Sequence, residues 1–460
     1  WIVTSNMPTA SVTDNETVTE EGTLGDHAAE TTKLWVFEPT PTMSSYLTAI
    51  CAGPYAEWHT EYANEDGRTV PMAMYCRQAL AKAFEKDVDY LFDITKKGFA
   101  FYAKTWGVPY PYAKFDQIYV PEYNAGAMEN IGMVTIRDQY VFESKVTDAY
   151  AERRVVTVLH ELAHMWFGDL VTMNWFDDVW TKEVFANYFA ALITEPLFPQ
   201  VNHQLNWMKT YTAASLSEDR TPGTTAIRQP LDNLQNAGLI YGQIIYNKAP
   251  VMMVKLVELM GKEAFREGIQ EYLKTYAYAN ATWDDLIQIL NSKTEQDLTA
   301  FSDVWVNQKG MPIINFEVSG KQQTIHQQDP YQRGLNWPQK FNITLCGTRD
   351  TTIEASLTDS LCRITLPFTP TRILPNTDGR GYGLFIPDNN SLHWLLEHWQ
   401  EIDNETTRQA VLMMMHENYQ AKRIPNTTWM NALLNGIHCE KNPLIASTLT
   451  NYLSSPLQET

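Results

Sequence analysis

His160, Glu161 and His164 stand in the order H-E-L-A-H, two imidazoles four residues apart with a carboxylate beside the first. On a helix, residues i and i+4 share one face a turn apart, so both rings can reach one metal ion while Glu161 sits on the same turn. Glu183 follows, with eighteen residues between it and His164. A short reversal through Gly168–Trp175 would return that carboxylate over the imidazole pair. Two histidines and one glutamate leave a fourth position open, which is the catalytic rather than the structural zinc pattern. The alternative is a chance H-E-x-x-H on an amphipathic helix with both rings paired in a core. A glutamate at a workable distance on a second helix weighs against it.

The flanking residues support the helices that this chemistry needs. Asp148 is placed to cap the first helix, and apolar residues recur at Val155, Val158, Leu159, Leu162, Ala163 and Trp166, which is helical spacing. Gly168 is the expected stop. The second helix is expected from Asp177 or Asp178 to a point before Pro196. Asn187 follows Glu183 by one turn and is a candidate partner for a ligand histidine, with an ordinary surface or core asparagine as the alternative.

The rest of the chain reads as a multidomain α+β protein. Residues 1–65 are expected to be β-rich, with strands at Trp1–Ser5, Leu34–Glu38 and Tyr46–Gly53 and a hairpin or exposed loop over Asn15–Thr32. Residues 66–310 read as a mixed α/β unit that becomes mainly helical. It has a strand at Val70–Cys76, a long helix at Ala79–Lys104, strands at Gln117–Pro121 and Met133–Ile136, and helices at 202–218, 236–260, 262–276 and 283–294. Residues 311–388 carry successive short strands and are expected to form a small β-sandwich. Helices return over 389–460.

Bulk properties narrow the function. With 460 residues, 44% hydrophobic and 19% charged, the composition is that of a globular protein. The formal net charge of −19 argues against nucleic-acid partners and against docking on an anionic membrane. No apolar run reaches membrane-spanning length. Five scattered cysteines with no C-x-x-C pair point to reduced thiols and a cytoplasmic enzyme, with a secreted or membrane-anchored ectoenzyme left open.

A second stretch, Gly126-Ala127-Met128-Glu129-Asn130, lies between two expected strands. Its extended backbone could pair with a peptide as an added strand. Glu129 could then hold a positively charged amino terminus, although a loop glutamate is most often a solvated charge.

G-A-M-E-N followed by H-E-L-A-H and a glutamate after eighteen residues resembles the M1 family of zinc aminopeptidases, gluzincins related to aminopeptidase N. Trp166–Met173, Trp180-x-x-Glu183 and Tyr246-Asn247-Lys248-Ala249 add to the likeness. The resemblance implies a thermolysin-like catalytic domain over 66–310, after the end of an N-terminal β-domain and before a β-sandwich and the start of a C-terminal helical domain. It implies one zinc per chain on His160, His164 and Glu183. It makes Glu161 the base that activates a zinc-bound water. Gly126, Ala127, Met128 and Glu129 become substrate-binding, with Glu129 anchoring the free amine of a peptide. Tyr246 becomes the transition-state stabiliser; by residue type alone it is one aromatic among many, and only the resemblance picks it over Tyr241. The sequence departs from the family at Thr181 and Val184, where W-L-x-E-G is usual, and at Ala249, where glycine is usual. Small Ala125 would leave a first-residue pocket open to bulky side chains. Family members extend further at both ends, so a fragment with weakened activity is expected. The competing readings are an epoxide-hydrolysing relative with the same zinc site and a non-catalytic peptide-binding module.

Overall fold

The structure is a computed structural model that describes residues 1–15 and 32–458. The hairpin or loop expected over Asn15–Thr32 lies, but for its end residues, outside the described residues. The strands that flank it, Thr9–Asn15 and Thr32–Phe37, pair antiparallel. The chain is mixed α+β, with several sheets and many helices. It forms two compact units. One holds Trp1–Trp175, Thr181–Phe198 and Arg266–Ile289, and the other holds Phe176–Trp180, Pro199–Phe265 and Leu290–Thr460.

The first unit is built on a five-stranded sheet. Its strands are β1 (Tyr55–Ala63), β2 (Thr69–Arg77), β3 (Phe115–Val120), β4 (Ala127–Met128) and β5 (Met133–Arg137), in the spatial order β1-β2-β3-β5-β4. β2, β3 and β5 run parallel, and β3, β5 and the Met72–Cys76 stretch of β2 are buried but for the last residue of β3 and of β5, as strands covered on both faces are. β1 and β4 pair antiparallel at the two edges. The boundary expected between residues 65 and 66 falls in the turn of the β1–β2 hairpin, so this sheet draws strands from both sides of it.

Helix α1 (Ala81–Trp106) follows β2, and helix α2 (Asp148–His164) packs on it. Gly98 permits the close approach. A Cβ there would stand 2.6 Å from Leu162 Cδ2 and 2.8 Å from Leu159 Cδ2. The Tyr102 hydroxyl donates to the Leu159 carbonyl at 2.9 Å, one residue before the first histidine. Helix α3 spans Trp180–Thr194. Phe185 and Phe189 of α3 stack with Phe167, and Trp106 meets Phe167 and Phe189 edge-on, so α1, α3 and the turn after α2 share one aromatic core.

The second unit contains a four-stranded sheet of Leu361–Thr365, Gln322–Gln328, Ile313–Ser319 and Leu384–Ile386, and a three-stranded sheet of Thr351–Leu357, Gln339–Cys346 and Arg372–Leu374. Ile314, Phe316 and Ile325 of the first and Phe341, Ile343 and Leu345 of the second enter one hydrophobic cluster. Leu395, Val411, Trp429 and Leu449 from four later helices complete it. The helix expected at 202–218 carries a π-helical turn, Met208–Thr212; the one expected at 236–260 breaks after Ile240 and resumes as a π-helical turn, Ile244–Lys248, that leads into Ala249–Met260.

Candidate metal centre

α2 begins one residue earlier than an Asp148 cap would place it. Thr147, not Asp148, is the N-cap and accepts from the Tyr150 amide, while Asp148 serves the first turn by its charge. The helix ends at His164, before the glycine expected to stop it. Gly168 lies in the turn beyond, at φ +117°. A Cβ there would stand 3.1 Å from Lys182 Cδ and 3.5 Å from His164 Nδ1, so the position needs both the backbone freedom and the space.

The two helices bring the expected ligand residues together. His160 Nε2 and His164 Nε2 are 3.0 Å apart, and Glu183 Oε2 lies 3.4 Å from the first and 3.6 Å from the second. Tetrahedral zinc with bonds of about 2.0–2.2 Å separates its donors by about 3.3 Å, so this set fits the ion. His164 Nδ1 pairs with the Phe167 carbonyl at 2.9 Å. That bond places the proton on Nδ1 and turns the Nε2 lone pair toward the other donors. Asn187 sits on α3 and is partly buried, between buried Ala186 and Tyr188.

The surrounding charges are all buried. Burial raises the Glu161 carboxyl to about 8, opposed by His160 and reinforced by Glu129 and Glu183. Its Oε2 is enclosed and has no hydrogen-bond partner among the described residues. Burial works against ionisation of Glu183 as well. Lys182 and the bonds from both imidazoles outweigh it and hold Glu183 well below the usual carboxylate range. Burial lowers the His164 imidazole, but Glu129 and Glu183 outweigh that and raise it.

Glu129 also points into this region, and it is buried rather than solvated. Ala127 and Met128 before it form edge strand β4, whose partners on β5 are Ile136 and Thr135. Gly126 offers its carbonyl to the Arg137 amide at 3.0 Å. Glu129 is ion-paired with Lys182, whose ammonium also lies 3.2 Å from Glu183 Oε1. Burial disfavours the Glu129 anion, but Lys182 and His164 outweigh it and lower its pKa.

Lys182 and Asp169 were not legible as site residues. Asp169 is enclosed, neither oxygen has a hydrogen-bond partner among the described residues, and burial first, then Glu129, raises its carboxyl well above the ordinary value. Tyr246 belongs to the second unit, on the π-helical turn Ile244–Lys248, with its ring stacked on Tyr241 at 6.2 Å. No described helix is long and apolar enough to cross a membrane. All five cysteines are free thiols.

Three donor atoms close enough to hold one ion, with the Glu161 carboxylate beside His160 on the same turn, are the kind of constellation found in metal-dependent hydrolases. Residues 90–305 match the peptidase family M1 domain. The chain is 40% identical over 324 residues to an aminopeptidase N of Streptomyces lividans, an alignment covering 69% of this chain and 35% of that protein. It is 27% identical over 435 residues to the tricorn protease-interacting factor F2 of Thermoplasma volcanium, covering 92% of this chain and 53% of the relative. An aminopeptidase N of Lactobacillus delbrueckii subsp. lactis is 35% identical over 282 residues, 61% of this chain and 33% of its own length. The chain belongs to peptidase family M1. It spans between a third and about half of the length of these relatives.

Proposed function

We propose that this protein is a zinc-dependent aminopeptidase that removes the first residue from peptides with a free amino terminus. One observation carries the reading: the donor atoms of His160, His164 and Glu183 lie within 4.8 Å of one another, beside the buried carboxylates of Glu161 and Glu129. One zinc per chain on that set would polarise the scissile carbonyl and acidify a water.

The chain's own residues do the rest. Glu161 takes a proton from the attacking water as its oxygen adds to the carbonyl carbon. It returns the proton to the nitrogen as the C–N bond breaks. Glu129 anchors the ammonium of the first residue by a charge-assisted hydrogen bond. Gly126, Ala127 and Met128 present an edge strand against which the substrate backbone can lie. By family resemblance, Tyr246 donates its hydroxyl to the developing oxyanion. Asn187 is proposed as a partner of His160, since the outer nitrogen of His164 is taken by Phe167. The domain reading proposed with this function is a thermolysin-like catalytic domain over 66–310, a β-sandwich over 311–388 and a helical domain from 389.

The test compares a short peptide with its N-acetylated form, with and without a chelator. Chelator-sensitive cleavage of the free peptide alone is expected. Equal cleavage of both would overturn the exopeptidase assignment.

A further inference from the structure

Two sets of donor atoms overlap at His164. One is His160, His164 and Glu183; the other is Glu129, Glu161 and His164; in each, the atoms lie within 4.8 Å of one another. His164 Nδ1 is engaged by the Phe167 carbonyl, so only Nε2 is offered to a metal and the two sets must compete for it. Their chemistry differs. The first has two nitrogens and one oxygen, as zinc favours; the second has one nitrogen and two carboxylates, which suit harder ions such as Mn2+. Glu161 also brings to the second set a buried Oε2 that has no hydrogen-bond partner among the described residues. Such an orphaned oxygen gains most from a cation.

Lys182 stands at the junction. Its ammonium pairs with Glu129 Oε1 and lies 3.2 Å from Glu183 Oε1. The lysine side chain is 5% exposed, so water does not screen these contacts. Held this way, Glu183 keeps Oε2 turned to the histidines, and Glu129 carries a fixed counter-charge.

We propose that Lys182 is a metal-selectivity residue, which withholds Glu129 from the metal and confines binding to His160, His164 and Glu183. Glu129 thereby stays available to a cationic group of the substrate, whose ammonium would join or displace that of Lys182. The inference rests on the zinc site proposed above.

The test uses the full chain and the variants Lys182→Met, Lys182→Gln and Lys182→Arg. The preference for Zn2+ over Mn2+ is measured by competition dialysis, and the coordination number is read from the electronic spectrum of the Co2+-loaded protein. In Lys182→Met the preference for zinc should fall by at least about tenfold, the scale on which residues around a metal site alter affinity. Its cobalt spectrum should weaken toward five or six ligands. Lys182→Arg should resemble the parent, and adding Glu129→Gln to Lys182→Met should restore the parent's selectivity. Should the methionine variant not fold, Lys182→Gln carries the same comparison. An unchanged zinc preference in a folded, charge-free variant overturns the proposal, as does a loss that Glu129→Gln fails to reverse. A parent protein that binds no zinc would instead remove the metal reading itself, and this inference with it.

Discussion

The buried pair Lys248–Asp219 in the second unit gives the sharpest energetic expectation. Both side chains are 0% exposed, and Nζ to Oδ2 is 2.7 Å. Asp219 also accepts from Thr224 Oγ1 at 2.6 Å and from the Tyr382 hydroxyl at 2.7 Å, while Lys248 donates to the Gly310 carbonyl at 2.9 Å. Removing one partner leaves the other as an uncompensated buried charge, which costs about 3–5 kcal/mol. Lys248→Met should fall near about 3 kcal/mol, because two hydroxyls still serve Asp219. Asp219→Asn should fall nearer about 5 kcal/mol, because the ammonium keeps only one carbonyl. The double variant should cost well under the sum, by about 2 kcal/mol or more, because no stranded charge remains. Urea unfolding of the parent, both single variants and the double variant measures all three. Single losses below about 1 kcal/mol, or strict additivity, would show that the two charges are neither stranded by nor coupled to one another. Tyr246 lies on the same turn as Lys248, so this pair also bears on a residue proposed for catalysis.

Further expectations follow from individual contacts. Glu161→Gln should lower kcat by about 10²–10⁴-fold while leaving zinc content unchanged, as metal analysis beside steady-state kinetics would reveal. Gly168→Ala should destabilise the protein by about 1–3 kcal/mol, because φ is +117° and the new Cβ would press on Lys182; a melting temperature equal to the parent's would count against this. His416 is buried, its ring stacked on Tyr452 at 3.7 Å, and burial lowers its pKa to about 3. The unfolded chain binds that proton near the ordinary value of about 6.5, so the contribution is complete above that pH and is lost as pH falls toward 3. His416→Phe should therefore flatten the decline in stability between those limits, and an unchanged slope would exclude His416 as its source.

Much of the candidate centre is legible in the sequence because its logic is local. The i, i+4 spacing of His160 and His164, the return of Glu183 and the helical apolar pattern are one-dimensional facts, and the structure brings these residues together. What was missed depends on groups a sequence does not display. The partner of His164 is a backbone carbonyl. Lys182 reads as a surface charge, since lysines are seldom buried, and only the fold places two carboxylates around it. Asp169 reads as a turn residue but is enclosed. Strand Tyr55–Ala63 escaped because it is an edge strand with no fully buried face, so its pattern of apolar residues is weak. The π-helical turns escaped because a five-residue turn leaves the composition of a helix unchanged.

The most direct test of the central claim is a crystal of the zinc-loaded protein measured at the zinc absorption edge. One anomalous peak is expected, about 2.0–2.2 Å from His160 Nε2, His164 Nε2 and Glu183 Oε2, with Glu161 and Glu129 outside its ligand shell. A peak held by Glu129 and Glu161, or zinc bound without Glu183, would contradict the account.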